Sequence, residues 1–154
     1  MRSQRYLVHY CREGFTVPAY SKAYLEEVVE NQGNLFDYVA ITYPDMDTED
    51  FIQRYMKSTT RKYIDEAQAY ICTMDVPELW EYFQKKDQYQ LKRGNSLKGF
   101  MPDWIGEFYA YYQWKYNMPS SELIEKSPLS YLKKAYHGLH DLELELAVEK
   151  VGMV

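Results

Sequence analysis

The sequence predicts an all-α fold, a predominantly helical bundle of about six to eight short helices with one short strand near the N-terminus. Two observations carry that expectation. Apolar residues recur at spacings of three and four rather than two, which gathers them on one face of a helix. Five of the helix starts also bear a side chain or a Pro of the kind that opens a helix.

After an irregular start, Ser21 is placed to cap a helix carrying Tyr24, Leu25, Val28 and Val29, with Gly33 as its stop. Residues 35 to 44, LFDYVAITYP, fit either a strand or a helical face of Leu35, Phe36, Val39 and Tyr43, and Pro44 ends them in both cases. Asp47 or Thr48 then offers an N-cap, with Glu49 and Asp50 at the positive end of the helix. Downstream, Ile52, Tyr55, Met56, Thr59, Tyr63, Ala67 and Ile71 form one face of a long helix, or of two with a break near residues 58 to 60. That phase leaves Arg54, Lys57, Arg61, Lys62, Asp65 and Glu66 in water.

Asp75 and Glu78 have capping-box spacing, Pro77 suits a first turn, and Val76, Leu79, Trp80 and Phe83 make the apolar stripe. Residues 84 to 102 lose periodicity through a Lys-rich and Gly-Asn-Ser stretch, the expected joint or exposed loop within a single domain over 1–154. Asp103 is expected to cap the next helix. Ser120 and Ser121 suit a short helix after Pro119; Ser127 and Pro128 start another, with Leu129, Leu132 and Tyr136, that Gly138 closes. Asp141 opens the last, with Leu142, Leu146, Ala147 and Val151 at helical spacing, although LELEL also alternates as a strand would.

Aromatic residues are the compositional anomaly: 17 Tyr, six Phe and three Trp make 17% of the 154 residues. A tyrosine has a large apolar face and a hydroxyl that needs a partner when buried, so it suits half-wet cores and contact surfaces. Seven aromatics fall within residues 104 to 116 and are spread nearly all round the helix, which points to a helix that is central or shared with a partner. Trp104, Phe108 and Tyr112 share a face and are expected in the core. Together with Tyr109, Tyr111 and Trp114 they are also the candidate partner-binding residues. A base-stacking platform would need a cationic groove, and only Lys115 lies in this segment.

A faint repeat at an offset of 72 lays residues 36–62 over 108–134. It matches Phe36 with Phe108, Met46 with Met118, Ile52 with Ile124, Ser58 with Ser130 and Lys62 with Lys134. Thr48 with Ser120, Asp50 with Glu122 and Phe51 with Leu123 are similar in chemistry. The repeat favours helix for residues 35–43.

At this length one domain buries about two thirds of its unfolded surface and needs neither metal nor disulfide. Cys11 and Cys72 are too few for a disulfide framework. The N-terminus lacks an apolar run of signal length, and no later segment approaches 18 apolar residues, so a cytoplasmic protein without membrane contact is expected. The net charge of −5 argues against general nucleic-acid binding. It is unevenly spread: residues 23 to 53 hold eight acids and no Lys or Arg, whereas 54 to 98 hold nine bases against six acids.

Chemical signatures are sparse. His137 and His140, beside Asp141, have spacing from which a metal site can begin, but Gly138 and two helix ends account for the same residues. His9 and Cys11 would share one side of a strand without an orienting third group or oxyanion donor. Asp45, Asp47, Glu49 and Asp50 lack the glycine and the later glutamate of a calcium loop and read as caps and an acidic surface. No catalytic residue, metal or cofactor is assigned.

The segment EFYAYYQWKYNMPSSELIEKSPLSYLKKAYHGLHDLELELAVEKV, within about residues 103–152, resembles a family of short, largely uncharacterised bacterial proteins. In these an aromatic helix precedes a turn, a small helix and a Tyr-x-x-Leu-His element like Tyr136, Leu139 and His140. Members tend to be encoded beside ADP-ribosyltransferase-like toxin proteins or on mobile elements. The resemblance implies an interaction or antitoxin-like role.

Two functions stand at this point. One is a helical interaction protein, antitoxin-like or regulatory, using its aromatic helix and acidic 23–53 stretch on a protein partner or a second copy of itself. The other is a small enzyme or nucleic-acid-associated factor with a site at His137–Asp141 or in the basic 85–98 loop.

Overall fold

Ser21 opens the first helix as its position predicts, its Oγ accepting the Ala23 N–H at 3.2 Å. The computed structural model describes residues 18–152; the short strand expected near the N-terminus and the His9–Cys11 pair lie outside them. Among the described residues there are nine helices and no strand: α1 (Lys22–Thr42), α2 (Thr48–Met56), α3 (Thr59–Asp65), α4 (Ala69–Cys72), α5 (Val76–Lys86), α6 (Met101–Tyr116), α7 (Ser120–Lys126), α8 (Leu129–Leu139) and α9 (Leu144–Gly152). The all-α expectation holds. The helices outnumber the expected six to eight because Ser58 and Ala67 divide one amphipathic stretch into three. Ser58 Oγ caps α3 through the Arg61 N–H at 2.9 Å, and Ala67 takes a left-handed φ of 60° after it.

Gly33 does not stop α1. The helix runs on to Thr42, so residues 35–42 are helical, and Tyr43 and Pro44 end it. Gly33 sits instead where α6 crosses. A Cβ there would strike Asp103 Oδ1 and come within 2.7 Å of Glu107 Cγ, and one on Gly106 would lie 2.6 Å from Gln32 O and 2.8 Å from Gly33 Cα. Two glycines thus let the helix backbones touch. The pair is antiparallel: Trp114 Nε1 donates to Tyr20 O at 2.7 Å near one end, and Gln32 Nε2 to Gly106 O at 2.8 Å near the middle.

The other caps fall into two groups. Asp47 accepts the Asp50 N–H at 3.0 Å and Asp75 the Glu78 N–H at 2.9 Å, as their spacing predicts. Asp103, by contrast, is no cap: α6 starts at Met101, and Asp103 occupies its first turn. Gly138 lies inside α8, which ends at Leu139 with His140 as its C-cap, and the last helix starts at Leu144, beyond Asp141. Leu146 consequently points outward while Ala147, Val148 and Val151 are buried.

One hydrophobic cluster draws residues from Ala19 to Val151 and spans both sides of the 84–102 stretch. Phe36, Phe51, Tyr55, Trp80 and Phe83 meet edge-on around its first half, with Tyr55–Phe83 centroids 5.2 Å apart and Phe51–Trp80 5.3 Å apart. Residues 87–100 form a loop fastened to the start of α2, where the Asp47 N–H donates to Lys92 O at 2.8 Å and the Gly94 N–H to Asp45 O at 3.1 Å. Positions 72 apart behave alike in places. Thr48 and Ser120 each begin a helix and are buried, as are Phe36 with Phe108 and Ile52 with Ile124.

Candidate functional site

The aromatic helix is committed to the core. Trp104, Phe108, Tyr109, Tyr112 and Trp114 are buried within the chain, and Tyr111 is half-buried. Tyr109 donates its hydroxyl to Ser127 O at 2.6 Å, and Trp104 packs on Phe108 at 5.2 Å and on Tyr136 at 5.5 Å. Side chains covered by their own chain offer little to a partner, so of the six expected contact residues only Tyr111 keeps an outward part.

The acidic quartet is occupied as well. Asp47 caps α2, Glu49 accepts from Lys133 at 2.7 Å, and Asp50 accepts from the Tyr89 hydroxyl at 2.9 Å with Lys92 3.6 Å away. Asp45 is exposed, and its carbonyl holds the 87–100 loop. The basic stretch is similarly tied: Lys85 bridges Glu81 at 2.8 Å, and Lys86 lies over the Tyr63 ring. At the C-terminal corner, His140 stacks on Tyr136 at 4.4 Å, places Nδ1 2.7 Å from Tyr136 O and Nε2 3.3 Å from Asp141, while His137 is exposed. No group of three or more His, Cys, Asp or Glu among the described residues is arranged to hold a metal.

Arg61 and Asp65, expected in water, are 0% and 4% exposed. The new start at Ser58 rotates α3, and this turns their side chains inward. Asp65 accepts the Ser120 N–H at 2.9 Å and the Ser120 hydroxyl at 2.7 Å, so a carboxylate from α3 caps α7, and Arg61 Nε lies 3.8 Å from it. Arg61 Nη2 donates to Gln113 Oε1 at 3.2 Å. The Tyr20 and Tyr55 hydroxyls lie close by, with their ionisation pushed well up by burial. Burial also pushes the Cys72 thiol up to about 11, so this cysteine is no nucleophile at neutral pH. A cavity of about 10 Å³ beside Arg61 has the size of one water. The cluster ties α3, α6 and α7 together, and on the Asp65 side it borders an open cavity of about 300 Å³ also lined by Lys57, Lys62, Glu66 and Pro119.

A second open feature is the outer face shared by α1 and α6. Glu26, Glu30 and Asp37 recur along α1, with Glu27 and Asn34 beside them, and Asp103 and Glu107 stand opposite on α6. Among the described residues no Lys, Arg or His forms an ion pair with any of these six carboxylates. Asp103 Oδ1 is sealed from solvent over Gly33 and accepts no hydrogen bond. Burial raises the Glu107 carboxyl to about 7, with Asp103 and Glu30 adding to the shift; burial, Asp37 and Glu30 raise Asp103 in the same direction. An open groove of about 380 Å³, lined by Ala23, Glu26, Glu27, Glu30, Asn31 and Asn34, continues along the outer side of α1.

Fold and face together define an all-α bundle whose central antiparallel pair presents a carboxylate furrow without ion-paired cations among the described residues. Comparison of the chain with protein-family models, curated proteins and solved structures finds no match in any of the three. The base-free 23–53 run was the signal in the sequence for half of this furrow. Asp103 and Glu107 gave no signal of their own, because their partnership with α1 exists only across the Gly33–Gly106 crossing.

Proposed function

We propose that this chain is an interaction protein that docks a basic protein surface on the α1–α6 face, in a regulatory or antitoxin-like role. The observation that carries this reading is the set of six carboxylates with no ion-paired cation among the described residues, two of them half-buried and raised by desolvation and by neighbouring acids. Holding like charges in a partly dry furrow costs the free chain stability, and an approaching cation relieves that cost. Such a face speeds encounter with basic partners and disfavours acidic ones. The resemblance of residues 103–152 to proteins encoded beside toxin-like proteins supports the regulatory role. No described helix is long and apolar enough to cross a membrane.

Native purification with and without Glu30→Lys and Asp37→Lys tests the reading. A protein that co-purifies with the wild type, is released by raised salt and is lost from the double variant is the expected result. A partner retained by the double variant at unchanged salt sensitivity overturns it.

A further inference from the structure

We infer that the partner docks on the furrow as a basic amphipathic helix, setting one Arg or Lys against the solvent side of Asp103 and Glu107 and one apolar side chain against Ile41 and Phe100. The inference rests on the acidic-face reading above and names the form of the occupant.

Three features of the surface lead to it. First, α1 and α6 are antiparallel with Gly33 beside Asp103, and Asp37 lies close enough to Asp103 to raise it. Ile41 follows one turn further along α1, and Phe100 immediately precedes α6. They are 70% and 81% exposed, the two most exposed large apolar side chains among the described residues. A carboxylate furrow ending in two bare apolar groups is complementary to a segment with a cation at one position and an apolar residue beyond it.

Second, the spacing is helical. Phe100 lies three residues from Asp103 and seven from Glu107, about 4.5 and 10.5 Å of helix rise. A partner helix lying along the furrow meets both features with residues three, four or seven apart on one face. Third, Asp103 Oδ1 and Glu107 Cγ fill the space over Gly33, so a cation meets the two carboxylates from their solvent side, and among the described residues no base is paired with either. A guanidinium fork serves both carboxylates at once, which favours Arg over Lys.

Seating a cation there carries a proton consequence. The groups that face Glu107 are Asp103 on its own helix and Glu30 on α1, with Asp37 beside Asp103; all are acidic. Burial first, and these acids with it, hold Glu107 partly protonated near neutrality; an incoming cation favours the charged form, so docking expels a proton from Glu107.

The test uses a synthetic 15-residue Ala-based helical peptide with one Arg, a Leu four residues on and a second Leu seven on, titrated calorimetrically at pH 7 in buffers of different ionisation enthalpy. Circular dichroism verifies that each protein variant keeps its fold. Expected are saturable binding, a fraction of a proton released per peptide, a loss of tenfold or more with Arg→Gln in the peptide, and a similar loss with Ile41→Ser plus Phe100→Ser in the protein. Glu107→Gln should weaken binding and abolish the proton release. Absence of binding by the wild type overturns the inference, as does binding indifferent to Glu107→Gln and to the apolar double variant. If that indifferent binding is still lost with Glu30→Lys and Asp37→Lys, the acidic-face reading survives and only the helix geometry falls. Light scattering that shows a dimer broken by Ile41→Ser and Phe100→Ser overturns it in favour of a second copy.

Discussion

Glu107 is a carboxyl in the wrong company for ionisation: half-buried, with Asp103 one turn back and Glu30 across on α1. Its folded value of about 7 lies above the ordinary 4.5 of glutamate, so the folded state holds the proton more tightly than the unfolded chain. The stability this contributes is fully present below about pH 4.5 and is lost as pH rises through 7. Denaturant melts at pH 5 and pH 8 should therefore show the protein weaker at pH 8. Glu107→Gln should flatten the dependence and add about 1 to 2 kcal/mol at pH 8, the figure being kept low because the group is only half-buried. At Gly106 the constraint is steric. An Ala gains helix propensity but drives its Cβ into the Gln32 carbonyl and Gly33, so Gly106→Ala should destabilise by about 1 to 3 kcal/mol in the same melts.

Among the elements, α3 shows how one break redirects a whole face. Capped anew at Ser58, it buries Arg61 and Asp65, and Asp65 supplies the cap that Pro119 cannot give α7. A buried charge left by its partner is costly, whereas replacing both members of a buried pair with apolar groups of similar volume is often neutral. Asp65→Asn and Arg61→Met should each cost about 3 to 5 kcal/mol, and the double variant should cost less than the sum of the two. Chemical denaturation of the four proteins gives that cycle directly. Helix α6 makes the complementary point through apolar packing: Phe108, fully buried among Trp104, Tyr109 and Tyr112, should cost about 3 to 5 kcal/mol as Ala.

For the molecule as a whole, the core crosses the 84–102 stretch. α1 from the first half packs on α6 from the second, and the intervening loop is pinned to Asp45 and Asp47. Far-UV circular dichroism and tryptophan fluorescence should accordingly report one coincident unfolding transition, since Trp80 and the Trp104–Trp114 pair lie in the same cluster. Two separated transitions would show that the loop joins independent units.

Helix class, the caps at Ser21, Asp47 and Asp75, and the break near residue 58 were legible because capping and periodicity depend on residues within one or two turns of each other. Gly33 misled for the same reason: a glycine after an apolar run has the local form of a helix stop, and only the presence of α6 explains a helix that continues through it. The expected contact residues moved inward and the expected wet pair Arg61 and Asp65 with them, because burial is decided by which helix faces meet. By itself the sequence determined an all-α chain, its principal caps and a base-free acidic run. Tertiary structure alone decided that the aromatic helix is core, and that Asp103 and Glu107 join that acidic run across a glycine crossing, since contacts between residues some seventy apart leave no local periodicity to read.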